Sequence, residues 1–287
     1  DPASCERAVD KWIVGKLVET QNAVTRALDA FRYNDAANAV YQFTWGTFCD
    51  WYVEFIKPCF SEPDGAQKTT TQNTASWVLD QILALLHPFM PFVTEELWER
   101  LAGSSGIERD SMLILAPWPE HPDDLIDPEV VAETDWLMEL ISQIREVRNE
   151  MHVPAAAKIP MLLAGASPAA VTRLGTHNDV ILRLARLDSA IASDDIPAGS
   201  AQIVLGDATI VLPLADVIDL EQEKARLSKA RSKLEDEVGK IDKKLANEGF
   251  LSKAPEQVIE EQKERRTLAQ ASIAKLCEAL DRLSASG

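Results

Sequence analysis

Apolar residues recur at heptad spacing along the last quarter of the chain, at residues 217–283. Two registers offset by three residues form an a/d seam, the pattern of a coiled coil. Residues 247–255 contain the Asn, Gly and Pro residues that end one helix and begin the next. A seam that is apolar on one side must pair, and a short turn makes the two arms antiparallel neighbours. We therefore predict a projecting helical hairpin at residues 217–287, with arms about 45 Å long.

Polar residues interrupt the predicted seam on both arms. Lys224 and Arg231 occupy seam positions on the first arm, and Gln262 and Arg266 occupy them on the second. Such positions also suit a coiled coil that docks the helices of a partner protein. The other seam positions are Val217, Leu220, Leu227, Leu234, Val238, Ile241 and Leu245 on the first arm, and Ile259, Ala269, Ile273, Leu276, Leu280 and Leu283 on the second.

Residues 7–151 follow the spacing of amphipathic helices, with breaks at Pro58 and at residues 61–71, 87–92 and 103–110. This pattern predicts an up-and-down bundle of about five helices at residues 1–152. One helix is unusually aromatic, and aromatic side chains at helical spacing usually lie in a core. The aromatic residues expected in this core are Trp45, Phe48, Trp51 and Tyr52.

The hydrophobic period changes after Val153. Residues 158–164, 190–192, 202–205 and 208–214 are strand-like, and Ser167-Pro168 begins a helix that reaches about Leu187. A module of about 60 residues is small for independent folding, so we predict an α+β junction between bundle and hairpin at residues 153–216. The predicted fold is therefore mostly α, with a helical bundle, a small α+β junction module and an antiparallel helical hairpin.

Acidic residues are concentrated before the hairpin. The chain has 29 Lys and Arg against 46 Asp and Glu, a net charge of −17. Residues 217–287 carry 14 of these basic and 14 of these acidic residues, which leaves 15 basic and 32 acidic ones in the first 216. An acidic body repels nucleic acid at long range, although local basic patches on a neutral hairpin can contact phosphate. Composition alone therefore argues against nucleic-acid binding, and any case for it must come from motifs.

The sequence contains no common motif of catalysis, metal binding or secretion. The four histidines have no Cys or His neighbour at ligand spacing, and neither a GxGxxG nor a Walker loop occurs. The four scattered cysteines favour free thiols in a reducing cytosol. No apolar run approaches the roughly 18 residues of a membrane span, and the first residues lack the features of a secretory signal. We expect no catalytic residues, no metal site, no membrane contact and a cytoplasmic location.

Several segments resemble the valyl-tRNA synthetase family. Residues 45–58 (WGTFCDWYVEFIKP) resemble its anticodon-binding bundle, and residues 87–98 (HPFMPFVTEELW) are shared more widely among class I synthetases for branched apolar amino acids. The segments APWP at 116–119 and IREVRNEM at 144–151 follow in the expected order. Residues 245–258 (LANEGFLSKAPEQV) resemble the C-terminal coiled coil of the family. The resemblance thus extends over essentially the whole chain.

The resemblance implies that the chain is the tRNA-binding C-terminal region of a valine–tRNA ligase. The His-x-Gly-His and Lys-Met-Ser-Lys-type motifs of the family's ATP-binding half have no counterpart here, nor does its anticodon-reading Asn-x-x-Arg-Phe segment. Activation of valine with ATP and Mg²⁺ is therefore expected in the missing N-terminal half of the parent enzyme, and this region is expected to need no cofactor. Its expected partners are tRNA for valine and that catalytic half, and it is expected to be monomeric.

In the family, the hairpin tip contacts the outer corner of tRNA, where the D and T loops meet. The resemblance places the two residues that stack on the exposed tertiary base pair at Lys240 and Arg265. An arginine at this position can also face phosphate. Ordinary solvated faces of an exposed coiled coil are the alternative interpretation. Further phosphate contacts are expected from Lys243, Lys244, Lys253, Lys263 and Arg266.

The resemblance also places Glu54 near the anticodon, where a carboxylate can accept a hydrogen bond from a base amino group. A surface glutamate on a helix is the alternative. Arg145 and Arg148 share a helical face and contact either the anticodon stem or acidic residues of the bundle. Phe250 is expected to fill the hairpin turn.

A second hypothesis, from a different class, is a non-enzymatic protein–protein interaction module whose coiled coil docks partner helices. The acidic charge and the polar seam positions support it. Binding to tRNA for valine separates the two hypotheses, because only the first predicts salt-sensitive RNA binding.

Overall fold

The chain folds into two compact units, Asp1–Met138 and Glu139–Gly287. The structure, a computed structural model, describes residues 5–61, 63–105, 108–206, 208–215, 217–247 and 256–284. The units divide inside the helix Pro128–Glu150. The domain boundaries at residues 152 and 216 remain predictions.

The first unit is a bundle of helices whose apolar faces form one core. The helices are α1 (Ala8–Asp29), α2 (Tyr33–Gln42), α3 (Val53–Ser61), α4 (Ala66–Leu86), α5 (Pro91–Ser105) and α6 (Pro128–Glu150), which continues into the second unit. A π-helical segment, Phe43–Tyr52, joins α2 to α3 without a break. Short 3-10 turns lie at Leu113–Leu115 and Asp123–Leu125. Fully buried core residues include Trp12, Ile13, Leu17, Tyr52, Ile56, Ile82 and Leu85.

A buried carboxylate connects three elements of this unit. Asp10 on α1 accepts hydrogen bonds from the hydroxyl of Tyr52 and the hydroxyl of Thr71, both at 2.8 Å. Arg7 donates in turn to the Thr71 hydroxyl at 3.2 Å. Burial, and then the negative charge of Asp10, raises the pKa of Tyr52 far above its ordinary value. A buried charge is tolerated only when it is well hydrogen-bonded, so these bonds hold α1 against the π-helical segment and α4.

We expect Tyr52→Phe to lower the free energy of unfolding by about 1–3 kcal/mol at pH 7, because the Asp10 carboxylate loses a buried donor. The difference should shrink above pH 10. A phenol whose pKa is raised in the folded state stabilises the fold fully below its unfolded pKa of about 10, and that stabilisation is lost as the pH rises further. Urea unfolding between pH 7 and 11, followed by tryptophan fluorescence, measures this. A difference that stays constant across this range would contradict the role assigned to the hydroxyl.

The aromatic helix is wound differently from the prediction. In the segment Phe43–Tyr52, the hydrogen-bonding pattern is π-helical, and the amide of Val53 donates to the carbonyl of Phe48, five residues earlier. These wider turns change which residues share a face. Phe48 and Tyr52 are buried as predicted, but Trp45 is 56% exposed. The prediction that Trp45 lies in the core is therefore wrong.

Two predicted helix ends also differ. Helix α3 continues through Pro58, and α4 begins at Ala66, about two turns earlier than the apolar pattern indicated. The extra turns of α4 are polar, and the hydroxyls of Thr69 and Thr70 donate to the carbonyls of the residues four positions earlier. Local side-chain bonds of this kind are compatible with a helix. The helix therefore begins within a polar segment that the pattern of apolar residues could not assign to it.

The second unit contains a four-stranded mixed sheet. Its strands are β1 (Ile159–Ala164), β2 (Leu187–Ala192), β3 (Ser200–Leu205) and β4 (Ala208–Pro213), in the order β2-β1-β4-β3. Strands β1 and β2 are parallel, whereas β4 is antiparallel to both β1 and β3. Two helices, α7 (Pro168–Thr176) and α8 (Asn178–Ala185), connect β1 to β2 where one helix was predicted. The side chain of Ser167 caps α7 by accepting from the Ala170 amide at 3.3 Å.

Two long helices complete the second unit, α9 (Leu220–Leu245) and α10 (Glu256–Ser284). Phe250 and Lys253, in the predicted turn between them, lie outside the described residues. Within the described ranges, no helix has the length and apolarity needed to cross a bilayer, and no group of three or more His, Cys, Asp and Glu residues could hold a metal. The predicted fold class, mostly α with a small α+β module, is confirmed.

Candidate nucleic-acid interface

Helices α9 and α10 pack against each other along the predicted seam. Leu227, Ile241 and Ala269 are buried in this contact. The other described seam side chains are half-buried: Val217, Lys224, Arg231, Leu234, Val238, Leu245, Ile259, Gln262, Arg266, Ile273, Leu276 and Leu280. The heptad pattern therefore identified the buried side of both helices.

The two helices run antiparallel, as predicted. Leu227 lines a cavity together with Ser272 and Leu276. Farther along α9, Glu237 pairs with Arg265, which comes earlier in α10. Since the partner's number falls as the number on α9 rises, the helices have opposite directions.

Two ion pairs join the helices on either flank of the seam. The Nε of Arg265 donates to Oε1 of Glu237 at 2.6 Å, and the Nε of Arg266 lies 2.6 Å from Oδ1 of Asp242. Consecutive residues of a helix point about 100° apart. The two arginines therefore pair on opposite flanks, and Arg265 pairs on the flank where Glu237 lies beside the basic residues near the end of α9.

Those basic residues form a cluster near the end of α9. Lys240, Lys243 and Lys244 are exposed, and spacings of three and four residues place them on one face of the helix. Glu237 lies three residues before Lys240 and seven before Lys244, so its partner Arg265 lies beside the same face. The Arg265 side chain is 61% exposed. We call Lys240, Lys243, Lys244 and Arg265 the tip cluster.

The tip cluster has the chemistry of an RNA contact. An exposed ion pair contributes at most about 1 kcal/mol. The bond to Glu237 can therefore orient Arg265 and still be exchanged for a contact with RNA. A guanidinium can stack on a base and bind phosphate at once, and the three ammonium groups can each neutralise a phosphate. The cluster therefore suits a folded polyanion that also exposes a base.

Two other predicted phosphate contacts differ in exposure. Lys263 is exposed and pairs with Glu260 at 2.7 Å, a contact as weak as that of Arg265 with Glu237, whereas Arg266 is half-buried at a seam position against Asp242. Sequence reasoning missed Glu237 and Asp242 as partners of the two arginines. The heptad pattern could have identified them, because both lie at positions next to the seam, where charged residues of paired helices form ion pairs.

Arg148, a predicted RNA contact, holds the second unit together. It is buried, and its terminal nitrogens donate to the carbonyls of Arg186, Pro154 and Ala157 at 3.2, 3.3 and 2.8 Å. Burial, and then the nearby Arg186 charge, lowers the pKa of Arg148. Neither predicted alternative included bonds to carbonyls, and its burial argues against a direct contact with RNA.

The other two predicted residues remain at the surface. Arg145 is exposed, and its Nε donates to the carbonyl of Leu184 at 2.9 Å. Glu54 is half-exposed on α3 and forms an ion pair with Lys57, one turn later. This pairing fits a surface glutamate on a helix.

The bundle and the hairpin each match a known family. Residues 10–163, more than half of the chain, match the anticodon-binding domain of tRNA ligase. The chain therefore belongs to this family. Residues 219–284, which include the tip cluster, match the valyl tRNA synthetase tRNA binding arm.

Similar proteins come from several bacteria. The chain is 48% identical over 287 residues to a valine–tRNA ligase of Caulobacter vibrioides, with all of this chain and 32% of that protein aligned. A valine–tRNA ligase of Agrobacterium fabrum is 45% identical over 279 residues, 97% of this chain and 29% of that protein. One from Brucella suis is 46% identical over 264 residues, 92% of this chain and 29% of that protein. The chain thus spans about a third of the length of these relatives.

Proposed function

We propose that this chain is the tRNA-binding region of a cytoplasmic valine–tRNA ligase. The helical bundle approaches the anticodon arm of tRNA for valine, and the tip cluster contacts the corner where the D and T loops meet. One observation carries the proposal: a single chain combines a match to an anticodon-binding domain with a match to a valyl-type arm, and this arm carries the four exposed basic side chains of the tip cluster. Valine activation with ATP and Mg²⁺ belongs to parts of the enzyme outside these residues.

The geometry supports different roles for the lysines and the arginine of the tip cluster. Lys240, Lys243 and Lys244 form the electrostatic surface for phosphate, because their ammonium groups are exposed on one helical face. Arg265 stacks on an exposed base, since its planar side chain is 61% exposed and bonds to Glu237 beside that surface. The acidic excess of the first 216 residues keeps non-specific RNA away from the rest of the molecule.

A gel shift with tRNA for valine tests the proposal. We expect salt-sensitive binding, and a loss of about 1–3 kcal/mol of binding free energy in Arg265→Ala, the range for one stacked base. The stability of the hairpin should change by less than about 1 kcal/mol, because the lost ion pair is exposed.

Arg266→Ala is the matched control. It removes the neighbouring arginine and an ion pair of the same length, but on the opposite flank of the seam. We expect its effect on RNA affinity to be clearly smaller. Equal losses in both variants would contradict the assignment of the contact to the Arg265 flank, and an absence of binding at low salt would contradict RNA binding itself.

The protein-adaptor hypothesis is weakened by the hairpin itself. Three of the four polar seam residues that supported it have partners within the same hairpin: Lys224 pairs with Glu221 at 3.2 Å and Arg231 with Glu235 at 3.4 Å. Arg266 pairs across the seam with Asp242. A second protein is therefore not needed to explain these residues.

A further inference from the structure

One end of the first unit carries exposed apolar side chains that the tRNA contacts do not explain. Phe31 and Phe92 are 78% and 90% exposed, and the others are also mostly in solvent. A sizeable exposed apolar patch on a soluble protein marks an interaction site. We call this surface the apolar end face; it consists of Phe31, Tyr33, Tyr41, Trp45, Met90 and Phe92.

These residues lie at the same end of the bundle because α1 and α4 are parallel. At their beginnings, Arg7 donates to Thr71. Farther along, His121 bonds both Gln21 of α1 and Gln81 of α4. The turn after α1 and the turn after α4, which carry Phe31 and Met90, therefore reach the same end.

A cavity of about 530 Å³ opens in this face. Its wall includes Tyr41, Trp45, Leu86, Phe89 and Met90. Tyr33 continues the wall, because residues 33, 37 and 41 recur every four positions on one side of α2. Phe31 extends it further, since its ring lies edge-on to that of Tyr33 with centroids 6.5 Å apart. The face is thus continuous from one turn to the other.

Both turns have a defined backbone conformation. Phe31 adopts a left-handed backbone conformation, with φ of 58°, which is costly for a bulky residue and which glycine would adopt freely. In the second turn, the Thr94 hydroxyl donates to the Met90 carbonyl at 2.9 Å, and Nδ1 of His87 lies 2.8 Å from the same hydroxyl. A strained, exposed aromatic residue and a braced turn indicate a surface prepared for a partner.

We propose that the apolar end face docks the part of the ligase polypeptide that lies outside this chain. This inference rests on the proposed function, because it takes the partner from a longer valine–tRNA ligase. The aligned region is only 29–32% of the three relatives described above, so about two thirds of such an enzyme lies outside it and is available to cover this face. RNA is a poorer occupant than protein, since none of the six side chains is charged and the neighbouring Arg32 is paired with Asp35, so the face offers little attraction to phosphate.

Hydroxyl-radical footprinting tests the docking. Oxidation rates of Tyr41, Trp45, Met90 and Phe92 are measured in the isolated 287-residue chain and in the full-length polypeptide encoded by the gene that contains it. We expect at least about a fivefold fall in these rates in the longer protein. Val204 and Leu268, which are exposed apolar residues of the second unit, serve as controls and should react alike in both. Equal rates at the face in both proteins, or a gene that encodes only these residues, would overturn the proposal.

Substitutions separate docking from tRNA binding. Met90→Glu and Phe92→Glu should restore fast oxidation of Trp45 in the full-length protein, whereas Val204→Glu should not. In the isolated chain, both variants should keep the helical circular dichroism spectrum and the wild-type affinity for tRNA. Unchanged protection in both variants would overturn the docking while leaving tRNA binding intact.

Two other occupants would be recognised by the same measurements. Protection of Trp45 on adding tRNA to the isolated chain would assign the face to RNA. A dimeric isolated chain in sedimentation that becomes monomeric in Phe92→Glu would assign it to a second copy. Either result would overturn the proposal.

Discussion

Replacing Lys240, Lys243 and Lys244 together with alanine is expected to weaken binding of tRNA for valine on the order of a hundredfold at 0.1 M salt. Each phosphate contact contributes about 0.7–0.9 to the slope of log affinity against log salt. Losing three contacts should therefore reduce the magnitude of this slope by about 2–3. The difference in affinity between variant and wild type should become smaller as the salt concentration is raised. Titrations between 0.05 and 0.3 M salt measure both quantities.

A matched triple variant distinguishes the tip from charge in general. Lys229 and Lys233 are exposed on the same helix but farther from the tip, and Lys158 is exposed beside the sheet. Replacing these three with alanine removes the same net charge and, like the tip variant, places good helix formers in α9. If the magnitude of the salt slope decreases equally in both variants, the tip cluster is not the specific site of phosphate contact. An unchanged slope in the tip variant would refute the tip cluster as a phosphate surface.

Arg148→Ala is expected to destabilise the second unit by about 2–3 kcal/mol, with no direct effect on RNA binding. The substitution removes the charged donor of the part-buried bonds to the carbonyls of Arg186, Pro154 and Ala157, and hydrogen bonds to a charged group contribute in this range. All seven tryptophans precede residue 139, so tryptophan fluorescence reports mainly the first unit, although Trp136 lies on the helix that continues into the second. Circular dichroism reports helices of both units. In urea, the variant should show an early circular dichroism transition while its fluorescence midpoint stays at the wild-type value.

Two further substitutions sharpen the interpretation of Arg148. Arg148→Lys keeps the positive charge but lacks the planar guanidinium that reaches three carbonyls. We therefore expect it to lose most of the stabilisation that Arg148 contributes to the second unit. Arg145→Ala, one turn earlier and exposed, removes the bond to Leu184 and should cost only about 1 kcal/mol. If Arg148→Ala instead unfolds like wild type and binds tRNA more weakly, the side chain contacts RNA and its structural role is wrong.

The hairpin shows how much a local pattern can determine. Heptad spacing identified the seam of α9 and α10, including Leu227, Ile241 and Ala269 in its core, because side chains seven residues apart recur on one side of a helix. The same spacing left Lys240 and Arg265 outside the seam, and both are exposed. Strands β3 and β4 were also predictable, since the strand-like pattern of residues 202–205 and 208–214 is a local signal.

Trp45 shows where a local pattern misleads. Spacing typical of an α-helix placed it in the core together with Phe48 and Tyr52. The helix is π-wound here, and the buried bond from Tyr52 to Asp10 connects residues 42 positions apart in sequence. Such a bond depends on how α1 meets the segment, which the spacing of the segment itself does not contain.

The amino-acid sequence by itself determined where most helices and strands lie, which sides of the hairpin helices are buried, and which family the motifs resemble. These properties depend on residues within about two turns of one another, where side-chain spacing and backbone geometry are linked directly. Only the tertiary structure decided that Arg148 is a buried brace, that Glu237 holds Arg265 beside the lysines, and that Trp45 belongs to an exposed apolar face. Each of these outcomes depends on which distant groups meet in space, because a charged or aromatic side chain is equally compatible with solvent, a buried carbonyl or a partner until its neighbours are placed.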